Sequence, residues 1–384
     1  MQIELECVNV LRKRLSAPEP LIQVLLGPRQ VGKTTSLKQL VQGLSTPSIY
    51  MSADDALTPS RAWVLENWQK AILRGPGTVL MIDEIQKVDQ WSTLIKSLWD
   101  ARSSKSSLKL VLAGSSSLDV QMGLTESLAG RFELIRMHHW NYWEMKKAFN
   151  LSWENFLLFG GYPGSIQFVD TYERWFEYVK KSIVDAVIGQ DILSVRTIQK
   201  PALFRQAFEL LCHYPAQEIS YNKLLGQLQD RGNVDLIKHY IDLYEGAFMF
   251  RALSKYSAKP ILRKSSSPKL LPLCPALFTL AEGPKAAHDN DSRGRVFEMV
   301  VGSDLNRVPG DLYYWREGDK EVDYVYVFGG KVFAIEVKSG RRRGRSGLEL
   351  FCTRHKKAFP IVISPETYFD FSLNPANFLD KLSH

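Results

Sequence analysis

Apolar and polar positions along this 384-residue chain follow two rhythms, and the change from one to the other marks out the expected elements. Short apolar runs recur in the first third: LIQVLL at 21–26, SIYMS at 48–52, TVLMI at 78–82 and LKLVLA at 108–113. Each has the length of a buried strand, and the first leads into a stretch with helical spacing, SLKQLVQGL at 36–44. Strand and helix in alternation predict a parallel sheet with ligand at its carboxyl edge.

Further along the rhythm becomes helical and aromatic, in HHWNYWEMKKAFN at 138–150, SWENFLLFGGYPGSI at 152–166 and a long helix over about 171–188. Gly160, Gly161 and Pro163 punctuate this region as a turn. Trp140, Trp143, Trp153 and Trp175 have the spacing of core residues, with stacking on nucleic-acid bases as the alternative. The block at 218–256 predicts two short amphipathic helices joined by a turn at 230–233, then a strand at FMFRAL. Ser220 is placed to cap the first helix. Helix, turn, helix and β-wing is a winged-helix pattern, in which Lys238 and His239 would face DNA or the domain would serve only for packing. RKSSSPK at 263–269 reads as an exposed loop. The last hundred residues predict a helix at 293–307, with Phe297, Val300 and Val301 inward and Glu298 near them. Three strands follow, LYYWRE, EVDYVYVF and KVFAIEVKSG. In the last strand a period of two puts Glu336 and Lys338 on one face, as a strand-end ion pair or as part of a metal site.

Composition narrows the function classes. With 45% hydrophobic residues the chain reads as globular, and 49 basic against 41 acidic residues give a formal charge of +8, which suits an anionic partner. Cys7, Cys212, Cys274 and Cys352 lie too far apart for a disulfide framework or a zinc site. MQIELECVNVLRKRL carries early acids and no leader-like apolar core, and no stretch reaches the length of a membrane span, so a cytoplasmic protein with no membrane partner is expected.

The chemistry concentrates at two places. Between the first strand and its helix stands GPRQVGKTT, fitting GxxxxGK[ST] in the context where that spacing cradles phosphate. Gly27, Pro28, Arg29, Gln30, Val31, Gly32, Lys33, Thr34 and Thr35 would form the nucleotide cradle, with Lys33 on the β- and γ-phosphates and Thr34 on Mg2+. Asp83 and Glu84 end the third strand, the first for the Mg2+ shell and the second to polarise the attacking water. Ser115 ends the fourth strand, as a γ-phosphate sensor or as part of a helix cap. At the other end of the chain, Glu298, Asp323 and Glu336 are candidate metal ligands and Lys338 a candidate catalytic lysine. Arg341, Arg342, Arg343 and Arg345 follow at once, suited to backbone phosphates.

GPRQVGKTT, VLMIDEIQKV, LAGSSS and then SLAGRFE stand in an order that resembles the AAA superfamily of P-loop ATPases. That resemblance implies ATP hydrolysis with Mg2+, a helical lid after the sheet, and Arg131 as an arginine finger acting within the chain or on a neighbour in a homo-oligomer. Leu134 stands where a second arginine is often found, a departure that bears on ring assembly. Glu298, Asp323, Glu336 and Lys338 resemble the PD-(D/E)xK signature of restriction-endonuclease-like folds, with Val322 in place of the proline. Together with the FGGYP turn, EVDYV and AIEVKSG, the chain resembles a prokaryotic family that fuses an AAA-type module to a winged helix and such a C-terminal domain. The expected fold class is α/β: a P-loop NTPase parallel sheet over 1–138, a helical lid over 139–200, a winged-helix middle domain over 201–283 and a smaller α/β restriction-endonuclease-like domain over 284–384. The expected function is ATP binding and hydrolysis acting on nucleic acid, DNA foremost, with a metal-dependent nuclease-like tail. The alternative is a nucleotide-operated switch whose C-terminal fold only binds DNA or a protein.

Overall fold

The computed structural model describes residues 3–18, 21–102, 107–115, 118–193, 198, 200–228, 233–257, 266–284, 289–339 and 346–382. Two compact units emerge, one made of Met1–His138 with Ile183–Thr197, the other of His139–Ser182 with Ile198–His384.

The first unit is built on five parallel strands: β1 (Ile22–Gly27), β2 (Ser48–Ser52), β3 (Val79–Asp83), β4 (Lys109–Ser115) and β5 (Phe132–Arg136), in the order β2-β3-β4-β1-β5. Every residue of β1 and β3 is buried, as a parallel sheet covered by helices on both faces requires. Leu26, Leu80, Ile82, Leu110 and Leu112 share one core with Trp68 of the helix Arg61–Leu73 and with Trp91 and Trp99 of the helix Trp91–Ala101. Gln23, the polar residue in the LIQVLL run, is buried and donates to Glu133 at 2.7 Å, so its burial is compensated. The register sets Gly27 opposite Ser115 and Ser52 opposite Asp83, which brings the ends of these four strands to one edge. β5 was not legible in sequence because it is an edge strand, mostly half-exposed, whose FELIR lacks a continuous apolar run.

The second unit opens with helices Tyr142–Phe149 and Trp153–Phe159, the former closed by a capping box between Asn141 and Glu144. Trp175 is fully buried, and Trp140, Trp143 and Trp153 pack on the core, so the tryptophans are structural here. The helix expected over 171–188 is α-helical only over Tyr172–Glu177 and continues in wider π-type turns over Tyr178–Asp185 and Val187–Leu193. Turns of this kind gather at functional sites.

Helix Pro201–Cys212, strand β6 (Gln217–Glu218), helices Tyr221–Gln227 and Val234–Gly246, and strands β7 (Phe250–Leu253) and β8 (Lys269–Pro272) follow in order. The strands form a small antiparallel sheet, β6-β8-β7. Ser220 caps its helix by accepting from the Lys223 N–H at 3.2 Å, worth about 1 kcal/mol. Lys238 and His239 are exposed on the second helix, with Lys238 3.8 Å from Asp235. Residues 230–232 of the expected turn and 263–265 of the expected loop lie outside the described residues. Lys269, however, is no loop residue: it opens β8 and is 6% exposed. Its neighbour Pro268 and the preceding serines suggested a loop, whereas pairing with Glu218 and Leu253 makes position 269 part of a sheet.

The helix Asn290–Arg307 precedes a second sheet of β9 (Asp311–Glu317), β10 (Lys320–Phe328), β11 (Lys331–Val337) and β12 (Ala358–Ile363), in the order β12-β11-β10-β9. The first three form an antiparallel meander, and β12 joins parallel to β11 after the helix Ser346–Arg354. The alternation read in β11 is real: Phe333 and Ile335 enter the larger core, Ala334 the smaller one with Leu348 and Phe351. Gly302 sits within the helix Asn290–Arg307 to make room for a ring, since a Cβ there would run into the Tyr324 hydroxyl, which donates to the Glu298 carbonyl at 2.8 Å.

Candidate ATP site and a buried ion network

β1 must end in glycine for a reason of contact. A Cβ on Gly27 would stand 2.8 Å from the carbonyl oxygen of Met137, whose N–H donates to Leu26 at 2.7 Å. Beyond it Gln30 and Gly32 take left-handed conformations, φ 59° and 93°, which curl the loop Gly27–Thr35 so that successive N–H groups can converge on an anion. Val31 is buried beneath the loop, and the helix Lys33–Gly43 starts at once with Lys33, Thr34 and Thr35. Lys33 is 6% exposed, and its ammonium donates to Gly27 and Pro28 carbonyls at 3.0 and 2.7 Å. Burial holds its pKa below the ordinary lysine value, although Glu84 and Asp83 pull the other way.

Asp83 sits at the centre of a hydrogen-bonded group. Its carboxylate accepts from the Thr34 hydroxyl at 2.6 Å, the Tyr50 hydroxyl at 3.1 Å and the Glu84 N–H at 3.1 Å. Thr34 and Asp83 thus present two hard oxygens side by side, a donor set that would suit Mg2+, whose charge would neutralise nucleotide phosphates. Glu84 takes a left-handed backbone, φ 52°, uncommon for a residue with a side chain and a form of strain that collects at active sites. Its pKa is raised by burial, with Lys33 opposing. Gln86 donates both to Glu84 and, at 3.0 Å, to the Ser115 hydroxyl, tying the end of β3 to the end of β4.

Sequence reasoning missed the last member. Asp191, 3% exposed, comes from the turns Val187–Leu193 and takes two bonds from Arg29, each 2.7 Å, while the Ser115 hydroxyl donates to it at 3.3 Å. No motif surrounds Asp191, and only an acid inside VIGQDIL, a run otherwise suited to a core, hinted at a buried partner. Because Arg29 and Ser115 each engage this carboxylate, it competes with any anion that they would hold. Asp191→Ala is therefore expected to tighten nucleotide affinity several-fold, and a fluorescent-ADP titration showing weaker binding would contradict the competition.

Arg131 forms a two-bond pair with Asp100, at 2.7 and 2.9 Å, and also donates to the Ala129 carbonyl.

In the second unit Asp323 lies in a bulge: Val322 pairs with Trp315 and Val325 with Tyr313, so Asp323 and Tyr324 together face Tyr314. The cause is next door, where the Tyr314 N–H donates to Ser254 and its carbonyl accepts from Tyr256. The Asp323 carboxylate then accepts from the Val337 N–H at 2.6 Å, just past the last β10–β11 pair, Tyr324 with Ile335. Glu336 pairs with Lys338 at 3.0 Å, both about 15% exposed. Glu298 pairs with Lys269, whose ammonium is 3.9 Å from an Asp323 carboxylate oxygen and donates to the Asp323 carbonyl at 3.1 Å. Burial works to lower the Lys269 pKa, and the carboxylates of Glu298 and Asp323 more than offset it. With one cation for two buried acids, Glu298 is pushed up, first by burial and then by the Asp323 charge. The metal reading of Glu298, Asp323 and Glu336 meets an obstacle in this arrangement. A lysine holds two of the acids, a second lysine holds the third, and no group of three or more His, Cys, Asp or Glu among the described residues is arranged to take a metal. These residues as placed do not fit a divalent ion. The run 341–345 lies outside the described residues, and among the described residues no helix is long and apolar enough to cross a membrane.

Three family models match successive parts of the chain. Residues 19–146 match an AAA domain, 150–282 a domain of unknown function (DUF8612) and 293–373 another (DUF4143). Two relatives named as uncharacterized proteins match most of the length. Rv2008c of Mycobacterium tuberculosis is 27% identical over 83% of this chain and 70% of its own, and MJ1544 of Methanocaldococcus jannaschii is 26% identical over 82% and 74%. Among solved structures, the Walker-type ATPase of Pyrococcus abyssi is 14% identical with a TM-score of 0.46, over 72% of this chain and 94% of its own. The AAA match coincides with the stretch that forms the parallel sheet and its phosphate-binding loop, and together they support an AAA-type ATPase in the first unit.

Proposed function

We propose that the chain binds and hydrolyses ATP and acts on nucleic acid, DNA foremost, through its second unit. The observation that carries the ATPase reading is the convergence of Lys33, Thr34, Asp83 and Glu84 from two strand ends onto one loop. In this reading the loop N–H groups and Lys33 hold the phosphates, Glu84 takes a proton from the attacking water, and Ser115 senses the γ-phosphate. Arg131 would serve as the arginine finger, in cis or across a homo-oligomer, after exchanging its pair with Asp100 for phosphate.

Nucleic-acid action is supported by the net charge of +8 and by the arginines at 341–345. Helix, strand, two helices and two strands over 201–272 follow winged-helix order, and one helix before a three-strand meander follows restriction-endonuclease-like order. The pairing of Lys269 with Glu298 favours the second reading of that C-terminal fold, a nucleotide-operated switch that binds DNA or a protein without cutting it.

Fluorescence anisotropy with duplex and single-stranded DNA at several salt concentrations tests nucleic-acid binding. Replacing Arg341, Arg342, Arg343 and Arg345 is expected to weaken binding for all sequences and to flatten the log–log salt slope by up to about 0.9 per lost phosphate contact. Absence of binding to DNA and RNA at low salt would remove nucleic acid from the reading and leave the ATPase untouched.

A further inference from the structure

Lys269 belongs to the stretch matched by one family model, and Glu298 and Asp323 to the stretch matched by the next. Its position is set by backbone. It pairs with Glu218 on one side and Leu253 on the other, and Leu270, Leu271 and Pro272 after it are buried, so its Cα has no freedom to withdraw. The side chain, 7% exposed, runs inward to the acids. There the ammonium pairs with Glu298, donates to the Asp323 carbonyl and stands 4.9 Å from the centre of the Tyr324 ring. Buried lysines are rare unless paired, and this one has two carboxylates, a carbonyl and a ring face around one charge.

Those partners are what a hard cation would choose. Magnesium takes oxygens at about 2.0–2.1 Å in octahedral array and tolerates no ammonium among them. Lys269 also repels a second cation in a region that water does not screen. The bulge at Asp323 and the Tyr324 hydroxyl on the Glu298 carbonyl hold the two acids toward the lysine.

We propose that Lys269 is the resident cation of this site: its ammonium stands where a nuclease-like fold would place a divalent ion, and the site works without metal. The second unit is thereby locked across three elements, β8, the helix Asn290–Arg307 and β10, by a charge that cannot dissociate. The reading does not depend on the ATPase proposal.

Mn2+ binding to the full chain without nucleotide, followed by the EPR signal of free Mn2+, tests it in four proteins: wild type, Asp323→Asn, Lys269→Met and the double variant. Any contribution from the ATP site is common to all. Wild type and Asp323→Asn are expected to give the same isotherm. Lys269→Met is expected to gain one equivalent at least about tenfold tighter than the background, which the added Asp323→Asn removes. An equivalent present in wild type and lost in Asp323→Asn would overturn the proposal, as would a folded Lys269→Met that gains none. Should Lys269→Met fail to fold, wild type against Asp323→Asn and Glu298→Gln decides alone: identical isotherms uphold the proposal, and loss of an equivalent defeats it.

Discussion

Replacing Lys33 with alanine is expected to abolish ATP binding at working concentrations. The ammonium is buried under the loop, held by the Gly27 and Pro28 carbonyls, so it is already oriented and stripped of most of its water before any phosphate arrives. Truncating one partner of such a desolvated charge pair costs about 3–5 kcal/mol, or roughly 10²–10⁴ in affinity. Fold is expected to survive. Among the described residues the side chain donates only to two loop carbonyls, and the change removes a charge whose burial is unfavourable. Titration with a fluorescent ATP analogue reads the effect, and affinity within threefold of wild type would show that the phosphates bind elsewhere.

Glu84→Gln should behave in the opposite way, binding ATP with near-normal affinity while turnover falls by about 10²–10⁴, the usual worth of a positioned general base. The shape is conserved, and the Gln86 amide can still donate to an oxygen at position 84. The pH profile gives a second readout. Burial raises the Glu84 pKa in the nucleotide-free protein, so the acid limb of kcat/KM should lie above the ordinary carboxylate value, and Glu84→Gln should erase it. The stability sign follows. A carboxyl whose folded pKa is raised favours the fold while protonated, and that contribution is lost as pH rises from its unfolded pKa through the folded one. Glu84→Gln should therefore be no less stable than wild type at neutral pH, by thermal melting. A variant that turns over ATP at the normal rate would take the base role away from Glu84.

Much of the candidate ATP site was legible because its chemistry is local. Gly27 to Thr35 lie in one loop, and Asp83 and Glu84 stand at the end of one apolar run, so spacing and strand length were enough to place them. Ser115 was found in the same way, but its partners were not. Gln86 and Asp191 reach it across 29 and 76 residues of chain, and no periodicity links such positions. In the second unit the meander and its alternation were visible in the chain, and Glu336 and Lys338 are the pair their spacing allowed. β12 and the helices after residue 346 carried no motif and were not read.

Legible in the order of residues alone are the elements whose signal is contained within a few positions: the buried parallel strands, the loop between β1 and its helix, the Ser220 cap and the antiparallel meander. Which distant charges meet is set by packing. Lys269 looked like the rim of an exposed loop, and sheet pairing on both sides turned it inward to Glu298 and Asp323. Asp191, beyond the end of the expected helix and without a motif around it, became the partner of Arg29. The physical reason is the same in both cases: a buried charge is tolerable only beside its opposite, and backbone pairing and packing, which join distant parts of the chain, choose that opposite.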